Sequence, residues 1–257
     1  MRVTFLGTGT SIGVPMIGCH CEVCTSLDPR DRRLRTSAIV EEGDTRILID
    51  CGPDFRQQML NIDVDRSFDA ILITHEHSDH VDGIDDLRPA SFFGEVDIYA
   101  DEFCAKHLIQ RMPYCFLPKE QRYVGVPALN MHVAEPHETF TVGNMTITPF
   151  RVMHGKLPIL GFRINDLVYI TDMSQLPESE VEYAKDAKLL VENALRPQKT
   201  HPTHQTLEEA LAMAEKLNAK QTYLIHMCHE MGLHAVVDQT LPPSVHYAYD
   251  GLSIDFQ

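Results

Sequence analysis

Four short apolar runs in this chain each end on a histidine or an aspartate, and that pattern restricts its possible folds more than any other feature. His75 follows Ile71-Leu72-Ile73-Thr74, Asp172 follows Val168-Tyr169-Ile170-Thr171, and His226 follows Tyr223-Leu224-Ile225. His154 comes just after Phe150-Arg151-Val152-Met153. Aliphatic and β-branched runs of this length, bounded by Gly, Asp or Pro, read as buried strands. Polar residues at their exits would collect along one edge of a layered structure, where a rigid scaffold can hold a site.

The same criteria predict strands over 3–6, 37–41, 46–50, 70–74, 97–100, 146–152, 167–171, 188–192 and 221–225. Helices are predicted over 54–60, 102–111, 178–184 and 207–217. The last is the clearest, because Leu207, Ala210, Leu211, Ala214 and Leu217 form one apolar stripe at helical spacing. Strands and turns first, then mixed strands and helices, suit a layered α/β sandwich. With 257 residues and no internal repeat, the expectation is a single domain spanning 1–257.

Thr74-His75-Glu76-His77-Ser78-Asp79-His80 packs three histidines and one aspartate into six positions. Read as an extended segment, it points residues 75, 77 and 79 to one side, and a turn at Asp79 aims His80 elsewhere. One short segment thus serves two adjacent metal ions. Imidazole and carboxylate ligands suit Zn²⁺, Mn²⁺ or Fe alike, so the motif leaves the metal open. A cluster of surface or capping histidines is the plainer alternative, and such density makes it a poor one.

His75-x-His77-x-Asp79-His80, with Gly83 and Leu87-Arg88 after it, resembles the signature of the metallo-β-lactamase superfamily. His154, Asp172 and His226 fall in order where that superfamily carries its remaining ligands. The resemblance implies a four-layer αββα sandwich with two divalent ions, Zn or Mn, in the active site. It gives the first ion His75, His77 and His154, and the second Asp79, His80 and His226, with Asp172 bridging. Such a pair lowers the pKa of a bridging water toward neutrality and yields hydroxide. A bridging Asp, rather than a Cys ligand, resembles the phosphodiesterase branches more than the antibiotic-hydrolysing one. Asp50, ending Ile47-Leu48-Ile49, either orients a ligand histidine or is a turn residue at a strand end.

Cys19, Cys21 and Cys24 have structural-zinc spacing, and a tetrahedral ion needs a fourth ligand. His229 is the expected fourth, three positions beyond His226, with His20, Cys228 and His234 as rivals. A Cys₃His zinc would clip the N-terminal loop to the last active-site loop. The seven cysteines are an odd number and no leader sequence is evident, which argues against a disulfide framework and makes the cytoplasm the expected compartment. The Cys-x-Cys-x-x-Cys after Gly7-Thr8-Gly9 resembles the cyclic-phosphate phosphodiesterases of the carbon–phosphorus lyase pathway and their relatives. The pyrroloquinoline quinone biosynthesis protein shares much of this pattern.

His204, in His201-Pro202-Thr203-His204-Gln205-Thr206, lies where those branches carry a histidine proposed as general acid. The same segment caps the helix over 207–217, with Thr206 as the cap. His204, Asp79 and Asp172 are the expected catalytic residues. Gly7-Thr8-Gly9-Thr10-Ser11-Ile12-Gly13 does not read as a dinucleotide loop, since Pro15 and the cysteines follow where a helix is required. Arg56 and Arg196 are candidates to meet a substrate phosphate, though most arginines are surface or ion-paired.

A net charge of −15 argues against a nucleic-acid partner, and no apolar run approaches a membrane span of about 20 residues. The expected function is hydrolysis of a small phosphodiester, including cyclic ribose phosphates, by hydroxide on two metal ions with His204 as acid. The alternatives are an RNA 3′-processing endonuclease and a non-enzymatic role in cofactor biosynthesis. A homodimer follows from the resemblance alone.

Overall fold

The computed structural model describes residues 1–62 and 67–256. Among them, fourteen strands form two seven-stranded sheets. The first contains β1 (Arg2–Gly7), β2 (Ser37–Glu42), β3 (Thr45–Ile49), β4 (Ala70–Leu72), β5 (Val96–Ala100), β6 (Leu129–Val133) and β14 (Ser253–Asp255), in the order β14-β1-β2-β3-β4-β5-β6. The second contains β7 (Phe140–Val142), β8 (Met145–His154), β9 (Leu157–Ile164), β10 (Leu167–Tyr169), β11 (Leu189–Asn193), β12 (Gln221–Ile225) and β13 (Val245–Tyr247), in the order β13-β12-β11-β10-β9-β8-β7. Each sheet is antiparallel in one half and parallel in the other.

Alternation along the strands builds the layers. Ile47 and Ile49 of β3 face the second sheet and pack with Ile147, Phe162 and Val191, whereas Leu48 faces outward. The outer face of the first sheet is covered by α1 (Phe55–Asn61) and α3 (Glu102–Arg111), through Phe55, Ala105 and Leu108. On the outer face of the second lies α5 (Leu207–Leu217), whose Ala210, Ala214 and Leu217 meet Val168, Leu190 and Leu224. Three apolar clusters thus separate four layers, helix–sheet–sheet–helix. The short helices α2 (Ser78–Val81), α4 (Val181–Ala184) and α6 (His234–Val237) lie in the connections.

The expected strands land on β1–β5, β8 and β10–β12, and 102–111 and 207–217 are helical as read. The expected helix over 178–184 is a 3₁₀ turn (Glu178–Glu180) running into α4. β9 escaped the sequence reading because Pro158 and Gly161 look like breakers. It pairs with β8 along its whole length, and Gly161 is required because the Phe150 ring lies where a Cβ would sit, 2.7 Å away.

Candidate metal centre

The site forms where chain segments leave the sheets. His75 follows β4, His154 ends β8, Asp172 follows β10, and His226 follows β12, and all four are buried. Asp172 and His226 depart through left-handed backbone, at φ of 53° and 55°, as does Asp50 after β3 at 58°. Asp and His accept that conformation more readily than most residues, at a cost of about 1–2 kcal/mol.

In the 75–80 segment the extended backbone ends at His77, short of Asp79, where the expected extended run placed the turn. Ser78 begins α2, so Asp79 and His80 sit on consecutive positions of one helical turn, and alternation stops at His77. The turn is pressed against the loop after β3. A Cβ on Gly52 would lie 2.1 Å from the Asp79 carbonyl, and one on Gly83 would lie 2.0 Å from that of Gly52. Backbone contact this close holds Asp79 and His80 over the strand ends, and only glycine permits it.

The side chains converge in two groups. Ligand-type atoms of His75, His77 and His154 lie within 4.8 Å of one another, as do those of Asp79, His80, Asp172 and His226. Asp172 links the groups: Oδ1 is 3.2 Å from His80 Nε2 and 3.1 Å from His226 Nε2, while Oδ2 is 3.9 Å from His75 Nε2. Asp50 acts from behind. It accepts from Thr74 N at 2.8 Å and from His80 Nδ1 at 2.7 Å, which fixes the ring orientation and turns its Nε2 toward Asp79 and Asp172. His154 is oriented similarly, with Nδ1 donating to the Asp172 carbonyl at 2.7 Å and to that of Thr203 at 2.9 Å.

This donor set fits cations. His75 Nε2, His80 Nε2 and both ring nitrogens of His226 are buried without a hydrogen-bond partner among the described residues. Orphaned nitrogens at this density are costly unless something coordinates them. Burial would raise the Asp79 and Asp172 carboxyls, yet His80 and His226 hold both below the ordinary carboxylate range. Burial, reinforced by His80, keeps the His75 ring well below its usual value and therefore neutral, as a ligand must be.

His204 reaches the same centre from the loop before α5. Its Nε2 is 3.2 Å from Asp172 Oδ2, and its ring stacks on His226 with centroids 4.9 Å apart. Its Nδ1 is 2.9 Å from Thr203 Oγ1 and 3.1 Å from His201 Nδ1, so His201 and Thr203 fix the ring from behind. Burial lowers the His204 pKa to about 4, against the opposing pull of Asp172. Thr206 caps α5 in a reciprocal box with Glu209, which anchors the loop.

Cys19, Cys21, Cys24 and His229 form a separate cluster, their ligand atoms also within 4.8 Å of one another. His229 Nδ1 is 3.4 Å from Cys19 Sγ and 3.2 Å from Cys21 Sγ, close to the ~3.6 Å edge that tetrahedral zinc bond lengths imply. The hydrogen bond from His229 lowers the Cys21 thiol to about 6, toward the thiolate that zinc requires. None of the rivals joins this cluster: His20 is exposed, His234 is buried beside Arg33 and Asp31, and Cys228 stands outside the group of converging ligand atoms. Backbone bonds Thr10 N to Met227 O and Met227 N to Thr8 O join the glycine-rich loop to the 226–229 loop beside this cluster. No helix follows that loop directly, consistent with a turn rather than a dinucleotide cradle.

Of the two arginines singled out in the sequence, Arg56 lines an outer hollow with Phe55, Met59 and Phe93. Arg196 lines one of about 400 Å³ that contains His201 and His204. Sequence reasoning gave His201 and Thr203 no part in supporting His204, since only the folded loop brings them to its Nδ1.

The sequence profile of the β-lactamase superfamily domain matches residues 45–227. Over 253 residues the chain is 44% identical to the octanoyltransferase of Porphyromonas gingivalis, covering 98% of this chain and 51% of that protein. Over 179 residues it is 30% identical to ribonuclease Z of Thermosynechococcus vestitus, covering 65% of this chain and 37% of that protein. The chain thus spans about half or less of the length of these two curated relatives. The crystal structure of a new diphosphatase from the PhnP family superposes with a TM-score of 0.90 at 39% identity, covering 100% of this chain and 98% of that one.

Proposed function

The chain belongs to the β-lactamase superfamily and is a metal-dependent hydrolase, and on that premise we propose that it cleaves a small phosphodiester or organic diphosphate. The observation that carries this reading is the pairing of a two-centre ligand set with His204, whose Nε2 reaches Asp172 at 3.2 Å. His75, His77 and His154 would hold one divalent ion and Asp79, His80 and His226 the other, with Asp172 between them. Two such ions supply Lewis acidity and a water acid enough to give hydroxide near neutral pH.

The protein's own residues do the rest. Asp50 and the backbone carbonyls at His154 keep the ligand rings in the orientation that turns the second ring nitrogen inward. His204 donates a proton to the departing oxygen, with His201 and Thr203 fixing its ring. The ring is neutral near pH 7 in the free protein, and the negative charge of a bound phosphate favours its protonated form. Asp79 and Asp172 would supply the carboxylate ligands that hold the ions where the reaction takes place. Cys19, Cys21, Cys24 and His229 would bind a structural zinc.

The ribonuclease Z likeness favours RNA cleavage as a second reading, against which stands the −15 charge, adverse to a polyanion. Octanoyl transfer has less support. Cys228, the thiol in the hollow beside His204, is pushed up by burial rather than activated.

The proposal is tested with His204→Ala. It should keep its metal ions and lose about 10²–10⁴-fold in kcat toward bis(p-nitrophenyl) phosphate. His154, Asp172 and His204 also lie within 4.8 Å of one another, so metal must be counted in parallel. A variant that loses an ion would make His204 a ligand, and one with full activity would remove it from the reaction.

A further inference from the structure

The hollow of about 400 Å³ beside His204 is lined by none of the seven His and Asp ligands of the two-ion centre. Arg196 and His201 line it, as do Thr10 and Ser11 of the glycine-rich loop and the apolar side chains of Ile12 and Met16. A group leaving phosphorus with its proton from His204 must depart toward His204, and this is the space that receives it. We propose that this hollow is the leaving-group subsite and that Arg196 binds a second phosphoryl group there, so that the substrate is a diphosphate carrying an organic group on each phosphorus. This rests on the phosphorus-hydrolysing reading above and names its substrate class.

Arg196 is built to be fixed. Its Nε donates to the Lys199 carbonyl at 2.7 Å and its Nη2 to that of Thr200 at 3.1 Å. Lys199 adopts φ of 66°, a left-handed conformation costly for lysine, in the turn whose carbonyls hold the guanidinium. The backbone of Arg196 is bridged to Thr206, and Leu207 N donates to its carbonyl at 2.9 Å, so its position relative to His204 is set by the same ladder. Both hydrogen bonds of the side chain go to backbone carbonyls, and among the described residues it forms no ion pair, although the exposed Glu230 also lines the hollow. Its charge is felt inside: burial and then Arg196 hold the His201 ring below its ordinary value. A planar cation, held rigid and unneutralised in a chain of net charge −15, is matched to a phosphate rather than to an uncharged alcohol. Ile12 and Met16 offer apolar surface for the organic group beyond it.

The step balances without another reactant. A water oxygen bonds to the attacked phosphorus, the bond from that phosphorus to the bridging oxygen breaks, and the bridging oxygen leaves on the second phosphoryl group. Two phosphate monoesters result, and the proton from water replaces the one His204 gives.

The test compares the metal-loaded wild type, Arg196→Gln and Arg196→Lys on P1,P2-di(adenosine-5′) diphosphate and on bis(p-nitrophenyl) phosphate, with metal counted in each. The expected result is that Arg196→Gln loses roughly 10–100-fold more kcat/KM on the diphosphate than on the monophosphate diester, the worth of one hydrogen bond to a charged group. Arg196→Lys should recover part of that preference. Equal losses on both substrates would mean that Arg196 only shapes its loop, and would overturn the inference. Wild type that cleaves the monophosphate diester but not the diphosphate would also overturn it, and would leave the broader reading standing. Calorimetry on metal-free protein adds a readout independent of turnover. AMP should bind about tenfold more tightly than adenosine, and Arg196→Gln should abolish the difference; equal affinities in the wild type would count against the proposal.

Discussion

At the scale of single residues, the molecule spends stability where the site needs geometry. Asp50, Asp172 and His226 leave their strands in left-handed conformations, and at each the turn lays a polar side chain across the strand end. The side chain at the turn is visible in sequence, but its backbone sign is not, because Asp and His are compatible with either. Glu192 is a different kind of cost. It lies on β11 on the same face as Leu190, fully buried, with neither carboxylate oxygen hydrogen-bonded among the described residues. Burial pushes its carboxyl well above the ordinary range. Between the unfolded value and that raised value the folded chain holds a proton the unfolded chain has lost, so stability falls as pH rises through the window. The slope from one such group is at most about 1.4 kcal/mol per pH unit. Glu192→Gln should therefore melt at or above the wild-type temperature at pH 8, with the gap closing toward pH 5. Parallel melting curves across that range would show that Glu192 is not protonated in the fold.

At the scale of elements, what was legible in the sequence was the set of exits, and what was not was the shape of the loops. Buried runs such as those of β4 and β12 announce themselves, and their terminal His75 and His226 arrive where the pattern places them. The helical turn at Ser78–Val81 does not, since four residues carry no periodicity. Its form depends on contact between Gly52, Gly83 and Asp79, which are distant in sequence. The edge strands β7, β13 and β14 have three residues each and were invisible for the same reason. The cysteine cluster was readable as spacing, with His229 as the expected fourth ligand, and the fold brings that histidine to the three thiols. That cluster ties together two loops that line the Arg196 hollow. Cys21→Ser should bind one zinc fewer per chain and melt roughly 5–10 °C lower, a loss of about 2–3 kcal/mol. An unchanged zinc count in that variant would contradict the assignment.

At the scale of the whole molecule, the two sheets place their site-bearing strand exits on a common edge, and the buried histidine and carboxylate groups there face one another in a single charge cluster. Three carboxylates, Asp50, Asp79 and Asp172, surround His80 and outweigh burial to raise its pKa. That concentration of negative charge calls for positive charge in the site, and two divalent ions would satisfy it. The acidity of the chain as a whole disfavours long polyanions, whereas a small phosphate ester meets only the local field of the ions and Arg196. The most direct measurement is hydrolysis of bis(p-nitrophenyl) phosphate by metal-stripped protein, titrated with Mn²⁺ and with Zn²⁺ while bound metal is counted. Turnover that returns as two ions per chain bind beyond the zinc of the cysteine cluster is the predicted result. Full occupancy of all three positions without turnover would contradict it.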